Sequence, residues 1–350
     1  MILRSLGEGH TPLVASVAAG PALGLERLYF KLENCNPSGS YKDRFISAEV
    51  ARIAGMGARA CVATSSGNTG ASLAAYSARY GLRCGIVVDA ATPAGKLEQM
   101  RAHGAIVFRV PGFLTSPDTG RQILDTLAGF SSRHGAPLVV SAYRYCPEGM
   151  AGVESLAAEL RAQLAGGPDH VFVPVGGGGL FTAVCRGFAC AGPLPRVHAV
   201  QPEGCLTVVA SWRSGTNQIT PVTSRTRVSG LAVPFDIDAS TALGYLRSSG
   251  GAGIAVTDEE VFAAQRLMLE REGIYAEPAG AAALAGLGHA VRDGIVASGE
   301  SVVCLVTGHG FKDPDSVRAA AARVPSPGVE AADLGAVLEI ELLENNGGGN

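Results

Sequence analysis

Short apolar segments alternate with longer helical segments along most of this chain, and this alternation limits the possible folds more than any other feature. Helical periodicity occurs at residues 70–80, 95–103, 118–133, 149–164 and 180–191. Buried strands are predicted at residues 60–64, 84–88, 106–110, 138–141, 171–175, 197–201 and 302–306. Strands that are apolar on both faces need helices on both sides of the sheet, as in parallel sheets with crossover helices. The sequence therefore predicts an α/β fold.

The composition excludes several classes of protein. Hydrophobic residues make up 47% of the 350 residues and charged residues only 17%, which is too apolar for a charged disordered chain. The formal net charge is −3, so there is no basic excess to attract a nucleic-acid backbone. No run approaches the roughly 18 apolar residues of a membrane span. We expect neither a nucleic-acid partner nor a membrane segment.

The cysteines and the first residues indicate a reducing compartment. The eight cysteines form no C-x-x-C pair and lie mostly in apolar stretches, and a chain of this length does not need disulfides for stability. The first eight residues lack the basic segment followed by an apolar one that marks a secretory signal. We therefore predict reduced cysteines, a cytoplasmic location and no metal site.

Other segments bear on the domain organisation. The length suggests about two domains or one large one, yet no linker separates them, which leaves open an insertion architecture. The run from Thr257 to Glu260 is a capping box, which predicts a helix through Glu270, and residues 279–290 are apolar all round. After Val324 the chain becomes rich in Pro, Gly, Asn and acidic residues, so residues 326–350 are predicted to form a flexible tail.

Two loops between a strand and a helix have the composition of anion sites. The first, residues 64–70, reads T-S-S-G-N-T-G and combines a helix N-terminus with four hydroxyls and an amide before its last glycine. The second, Gly176 to Gly179, presents its backbone N–H groups without side chains, which suits a phosphate. An ordinary helix cap and a tight structural turn are the respective alternatives. The glycine loop matches neither the Walker pattern nor the dinucleotide fingerprint.

A third loop, T-G-H-G from Thr307, follows another predicted strand. Ligands of open α/β sheets bind at the carboxyl ends of the strands, so the three loops are expected to converge there. Thr307 is the better-placed candidate, whereas His309 has the character of a structural turn residue.

The chain contains only four lysines among its 28 basic residues, so any reaction that needs a neutral side-chain amine has only four candidate residues. Lys42 begins a predicted helix, where the helix dipole lowers the pKa of the ammonium group and favours the neutral amine of a Schiff base. Lys31 and Lys312 fit solvated surface positions better. Lys96, at another helix start, is predicted either to face solvent or to bind an anion.

A phosphate loop, a second anion loop, a small polar residue at a third strand end and a Schiff-base lysine together describe a pyridoxal-phosphate site. Here the chain resembles the fold-type II family of pyridoxal-phosphate enzymes from about residue 8 to residue 320. Within it the similarity is greatest to threonine synthases, and it rests on these segments: G-H-T-P-L from Gly9, N-P-S-G-S-Y-K-D-R from Asn36, G-K-L-E-Q from Gly95, V-S-G-L-A from Val228, E-P-A-G-A from Glu277 and T-G-H-G-F-K-D from Thr307.

The resemblance implies a role for each candidate residue. Lys42 would hold the cofactor as a Schiff base and move protons, and Asn68 would hydrogen-bond the cofactor's ring hydroxyl. The glycines from Gly176 to Gly179 would hold the phosphate. Thr307 would meet the pyridine nitrogen without keeping it protonated, which is associated with elimination and replacement. The substrate carboxylate would be held by Ser65, Ser66 and Thr69.

The resemblance also implies two domains, each a mostly parallel twisted sheet flanked by helices. The larger would comprise residues 1–45 and 142–325, and the smaller, mobile one residues 46–141, closing to exclude water. Homodimers are common in the family, and the partner would otherwise be a small amino-acid substrate.

One departure from the threonine synthase pattern leaves the substrate open. Those enzymes generally have an arginine three residues before the glycine of a Glu-Gly pair, and that position here holds Cys146, which leaves Arg144 and Lys96 as candidates to bind the leaving-group anion. The first hypothesis is conversion of O-phosphohomoserine to threonine and phosphate. The second is β-elimination or β-replacement on serine, threonine, O-phosphoserine or O-acetylserine. The third is a noncatalytic ligand-binding relative.

Overall fold

The computed structural model describes residues 4–113 and 117–344. The strands are β1 (Leu13–Ala15), β2 (Leu28–Lys31), β3 (Ala60–Ala63), β4 (Arg83–Asp89), β5 (Ile106–Val110), β6 (Leu138–Val139), β7 (His170–Pro174), β8 (Arg196–Pro202), β9 (Gly253–Val256) and β10 (Val302–Leu305). The helices are α1 (Ala19–Ala22), α2 (Lys42–Gly55), α3 (Asn68–Tyr80), α4 (Ala94–Ala102), α5 (Pro117–His134), α6 (Pro147–Ala151), α7 (Ser155–Gln163), α8 (Gly179–Ala191), α9 (Val208–Arg213), α10 (Ala239–Ser248), α11 (Asp258–Arg271), α12 (Pro278–Arg292), α13 (Pro314–Ala321) and α14 (Leu334–Glu339).

The strands form two sheets. The larger has the order β1-β2-β10-β7-β8-β9 and is parallel except for β1, which pairs antiparallel with β2. The smaller has the order β5-β4-β3-β6 and is parallel throughout. The prediction of an α/β fold with mostly parallel sheets flanked by helices is confirmed. The strands of the smaller sheet lie between residues 60 and 139, and those of the larger sheet come from both sides of this interval. The boundaries at residues 45/46 and 141/142 remain a prediction.

Small residues allow helices to approach the sheets and each other closely. A Cβ atom on Gly286, in α12, would lie 2.5 Å from Val200 Cγ2, so this apolar helix packs directly on β8. A Cβ on Gly152 would lie 2.4 Å from the carbonyl oxygen of Arg44. The chain turns there as a 3₁₀ segment, Gly152–Glu154, which separates α6 from α7 where one helix was predicted over 149–164.

An ion-pair cluster lies where β2 and α7 meet the start of α2. Lys31 was predicted to be solvated, and this is wrong, because its side chain is 0% exposed and its Nζ is 2.7 Å from Glu159 Oε2. Arg44 Nη1 lies 2.6 Å from Glu159 Oε1, and Arg44 Nε lies 2.7 Å from Glu33 Oε2. Burial opposes ionisation of Glu159, but hydrogen bonds from Arg44 and Lys31 outweigh it and lower its pKa to about 2. The partners are distant in sequence, so the pattern around Lys31 gave no sign of them.

Two other predictions concern helix ends. The capping box at Thr257 is confirmed, because its side chain accepts from Glu260 N while the Glu260 carboxylate accepts from Thr257 N. The predicted tail contains α14 and a π-helical segment, Ile340–Glu344, and the remainder of the tail, residues 345–350, lies outside the described residues. Within residues 4–113 and 117–344, no helix is both long and apolar enough to cross a bilayer.

Candidate active site

A cavity of about 390 Å³ lies where the carboxyl ends of β3, β7 and β10 face the first residues of α2. Pockets of this size suit small ligands with a few converging polar groups. The three loops singled out from the sequence all contribute to its walls. Of the site residues predicted from the sequence, these line the cavity: Lys42, Ser65, Ser66, Asn68, Thr69, Lys96, Gly176, Gly177, Gly178, Gly179 and Thr307.

Lys42 is the first residue of α2, and its neighbours fix the position of that helix end. Its Nζ donates to Ser141 Oγ at 2.6 Å and lies 4.6 Å from the centre of the Tyr41 ring. The next residue, Asp43, is buried and accepts hydrogen bonds from Ser38 and from Ser72 on α3. These contacts tie the loop before α2 to α3. The amine of Lys42 therefore projects into the cavity from a fixed helix end.

The glycine loop forms one end of the cavity and leads into α8. Gly178 has φ of +96°, a conformation that favours glycine, and a Cβ there would lie 2.7 Å from the carbonyl oxygen of Asp238. Side chains at Gly176 and Gly179 would come within about 3.2 Å of Val233 and 3.1 Å of Asp238, respectively. The N–H groups of the first turn of α8 have no acceptor within the helix. Together these features form a cradle of backbone N–H groups suited to a phosphate.

The second anion loop leads into α3, which begins at Asn68, two residues earlier than predicted. Gly70 is required there, because a Cβ would lie 2.2 Å from the carbonyl oxygen of Ser65. The close approach turns the loop hydroxyls and the helix N-terminus towards the same part of the cavity. A small carboxylate fits this arrangement, since no negatively charged side chain belongs to the loop itself.

Thr307, just after β10, and Glu277, directly before α12, both line the cavity. Thr307 is 4% exposed, and its carbonyl oxygen accepts from Tyr41 N at 3.1 Å, which joins it to the loop that carries Lys42. Glu277 is 8% exposed, and its Oε1 accepts from Asn68 Nδ2 at 2.8 Å. Burial raises the pKa of Glu277 to about 7, although the hydrogen bond from Asn68 opposes this.

Two further ammonium groups line the cavity beside α4. Lys96 Nζ donates to Ser229 Oγ at 3.1 Å, and Lys312 Nζ donates to Gln99 Oε1 at 2.5 Å. Lys312 was predicted to be solvated, and this is wrong: it is half-buried, and burial lowers its pKa to about 8 despite the nearby Glu277 carboxylate. Lys96 lies on the cavity wall, and its predicted role in binding an anion stays a prediction.

Arg144 does not belong to the cavity wall. Its side chain is exposed, with the guanidinium 6.0 Å from the centre of the Tyr145 ring. Cys146, at the position where threonine synthases generally have arginine, is 2% exposed, and its Sγ accepts from Val140 N at 3.5 Å. The position therefore faces the protein interior, where a thiol packs without the cost of a buried charge.

Comparisons with known proteins agree with this geometry. A family model described as "Pyridoxal-phosphate dependent enzyme" matches residues 4–308. The chain belongs to that family. It is 36% identical to the threonine synthase of Methanocaldococcus jannaschii over 322 residues, which cover 89% of this chain and 77% of that protein. Identity to the threonine synthase of Mycobacterium tuberculosis is 33%, over 96% of this chain and 90% of that protein.

Solved structures show the same fold. Threonine deaminase isoform 2 from Solanum lycopersicum superposes with a TM-score of 0.76 at 21% identity, covering 90% of this chain and 88% of that one. An L-serine ammonia-lyase from Rhizomucor miehei gives a TM-score of 0.77 at 23% identity, covering 90% and 98%. The fold-type II resemblance is confirmed, and the protein is a pyridoxal-phosphate-dependent enzyme of the lyase class.

The residues of the cavity fit pyridoxal phosphate. The cofactor needs an amine for covalent attachment, a phosphate site and polar groups around its ring. Lys42 offers the amine, and the cradle made by the four glycines would be closed by any side chain at Gly178. Thr307 and Asn68 contribute the uncharged polar groups between them.

Sequence reasoning missed five residues of the site: Gln99, Ser141, Ser229, Glu277 and Lys312. Glu277 and Ser229 occur in motifs that carried the family resemblance, but neither had a role, because their partners lie more than a hundred residues away. The sequence held one usable sign, a glutamate directly before the helix of small residues that was expected to cross the core.

Proposed function

We propose that the enzyme is of the threonine synthase type and converts O-phosphohomoserine to threonine and phosphate. Identities of 33–36% to threonine synthases over most of the chain support this class. The observation that carries the proposal is the pair of ammonium groups, Lys96 and Lys312, on the cavity wall beside the anion loop. A substrate with a carboxylate at one end and a phosphate at the other needs both an anion loop and separate cations.

The substrate carboxylate binds at the start of α3. Ser65, Ser66 and Thr69 supply hydroxyl donors, and the first-turn N–H groups add the positive end of the helix dipole. This arrangement orients the substrate so that its leaving group points to the Lys96 side of the cavity. Lys96 and Ser229 then hydrogen-bond the departing phosphate, because both already meet at the cavity wall, 3.1 Å apart.

Pyridoxal phosphate, when bound, supplies the electron withdrawal that makes protons next to the substrate amine removable. Lys42 is the group that takes and returns these protons, since its amine lies in the cavity. Ser141, which accepts from Lys42 Nζ at 2.6 Å, holds that amine in place while it is not covalently engaged.

The hydroxyl of Thr307 and the glycine cradle fix the two ends of the cofactor. A hydroxyl at Thr307 hydrogen-bonds the ring nitrogen without bringing a negative charge, so it does not hold a proton there. This favours elimination and replacement at the carbons beyond the α-carbon. The glycines from Gly176 to Gly179 hold the phosphate through backbone N–H groups.

A second candidate is β-elimination or β-replacement on serine, threonine, O-phosphoserine or O-acetylserine. Cys146 favours it, because this buried thiol supplies no cation where threonine synthases generally have arginine. A smaller or uncharged leaving group would need fewer cations.

The two candidates are separated by a substrate panel. The purified holoenzyme is incubated with O-phosphohomoserine, O-phosphoserine, O-acetylserine, serine and threonine, and released phosphate, keto acid and threonine are measured. We expect phosphate and threonine in equal amounts from O-phosphohomoserine. No phosphate from O-phosphohomoserine, together with keto acid from another substrate, would reject the first candidate and support the second.

We also propose that the enzyme is a cytoplasmic homodimer. The cysteines of the described residues are free, as expected in a reducing compartment. Light scattering after size-exclusion chromatography gives the mass directly, and a value of about 36 kDa, the mass of one chain at 35.6 kDa, would contradict the dimer.

A further inference from the structure

Glu277 lies on the cavity wall and faces Asn68, the side chain of α3 that is expected to touch the cofactor ring. Its Oε1 accepts from Asn68 Nδ2 at 2.8 Å. An Asn amide has two N–H hydrogens on one end and a carbonyl on the other, and a carboxylate accepts only from the N–H end. The contact with Glu277 therefore fixes the orientation of the Asn68 side-chain amide. The second N–H of that amide remains available to another acceptor.

The backbone around Glu277 is built to hold the carboxylate in this place. Glu277 N donates to the carbonyl oxygen of Gly308 at 3.0 Å. A Cβ atom on Gly308 would lie 2.0 Å from Glu277 Oε1 and 3.1 Å from Asn68 Nδ2. The glycine in the T-G-H-G segment thus provides the space that the carboxylate and the amide occupy together.

We propose that Glu277 is a positioning residue that orients Asn68 so that its amide N–H points at the ring oxygen of pyridoxal phosphate. A ring oxygen next to the reactive carbon is an acceptor, and a reversed amide would place a carbonyl against it. Glu277 does not touch the reacting atoms, and it acts only through Asn68. The inference rests on the proposed contact of Asn68 with the cofactor, and it is independent of which substrate is used.

The charges around the carboxyl are consistent with this position. The Glu277 carboxyl interacts with the charges of Lys312, Lys96 and Asp313, and both lysines favour its ionised form. Burial raises the pKa of Glu277 to about 7, and the hydrogen bond from Asn68 opposes this shift by favouring the ionised form.

The test is a double-mutant cycle on cofactor binding. Glu277→Met, Asn68→Ala and the double variant are prepared as holoenzymes, and the dissociation constant and the absorbance maximum of bound pyridoxal phosphate are measured. We expect each single variant to weaken binding about tenfold and to shift the absorbance maximum in the same way. The double variant should match Asn68→Ala alone, because Glu277 has nothing left to orient.

Two outcomes overturn the inference in different ways. Losses that multiply to about a hundredfold in the double variant would show that Glu277 acts without Asn68, while the proposed role of Asn68 survives. An unchanged dissociation constant in Asn68→Ala would remove the role of Asn68 and the inference with it. Glu260→Gln is the matched control, because this carboxylate caps α11 and should leave cofactor binding unchanged.

Glu277→Gln covers the case in which Glu277→Met does not fold. Its amide oxygen still accepts from Asn68, so we expect cofactor binding within about threefold of the wild type and an unshifted spectrum. A tenfold loss in Glu277→Gln that persists in the Asn68→Ala background would contradict the positioning role.

Discussion

None of the four lysines of the chain has a fully exposed side chain in the structure. Lys31 is paired inside the protein, and Lys42, Lys96 and Lys312 line one cavity. Lysine can lose its charge, whereas arginine cannot, and its ammonium group is a more compact cation. An arginine at these positions would therefore not be equivalent. The sequence predicted a functional position for Lys42 and, as one of two outcomes, for Lys96. It did not for Lys312, because the acceptor of Lys312 is Gln99, which is 213 residues away.

At Lys96, charge removal should act on the leaving group. In Lys96→Gln we expect kcat/KM for O-phosphohomoserine to fall about 10- to 100-fold, because a hydrogen bond to a charged group contributes roughly 1.5–3 kcal/mol. Arg144→Gln is the control, since that exposed side chain lies off the cavity wall, and its kcat/KM should stay within about twofold. Steady-state kinetics on both variants decide the matter, and equal losses in the two would refute a specific role for Lys96.

At the scale of elements, the glycine loop and α8 depend on one backbone conformation. Gly178→Ala puts a side chain at φ +96° and against the Asp238 carbonyl, 2.7 Å away, so we expect the free energy of unfolding to fall by about 2–3 kcal/mol. Gly215 also has a positive φ, +73°, but a Cβ there would have no atom within 4 Å. We expect Gly215→Ala to lower the free energy of unfolding by only about 1 kcal/mol. Denaturant unfolding of both variants gives the comparison. Equal losses would mean that contact with Asp238 adds nothing.

Helix α4 is joined to the larger sheet's loops through Gln99. The side-chain oxygen of Gln99 accepts from the ammonium group of Lys312, and its Nε2 donates to the carbonyl oxygen of Ser38. In Gln99→Met both bonds are lost, and we expect KM for the amino-acid substrate to rise about tenfold with a smaller change in kcat. Gln122→Met, on the exposed surface of α5, should leave both constants unchanged. A fall in kcat alone would contradict a role in substrate binding.

Most elements of the fold could be predicted from the sequence, and the reasons for the exceptions are physical. Long apolar strands followed by helices are detectable because burial on both faces leaves no polar position. The strands β1 and β9 were not predicted, and length alone does not explain this, since β3 and β10 are as short as β9. The break between α6 and α7 depends on contact with Arg44. The converging loops followed from topology, whereas Glu277 needed the folded chain to bring it to Asn68.

At the scale of the whole molecule, the pH dependence of stability should carry the signature of two buried histidines. His170 and His198 are both 0% exposed, and the chain of hydrogen bonds from Ala252 N through His198 and His170 to Glu300 makes both rings neutral. Burial lowers the pKa of His198 to about 3. Glu277 has the opposite effect on the pH dependence of stability. Its pKa is raised to about 7 in the folded protein, so its contribution to the free energy of unfolding increases as pH falls.

Comparison with a variant isolates the histidine contribution from that of Glu277. Because the unfolded His198 gains a proton below about pH 6.5 and the folded one does not, its contribution is full above that pH and is lost as pH falls towards 3, by roughly 2 kcal/mol at pH 5. The difference in free energy of unfolding between wild type and His198→Gln should therefore shrink by about that amount from pH 7.5 to pH 5. Denaturant unfolding followed by the fluorescence of Trp212, the single tryptophan, measures it. A constant difference between pH 7.5 and pH 5 would show that His198 titrates alike in the folded and unfolded states and would contradict the prediction.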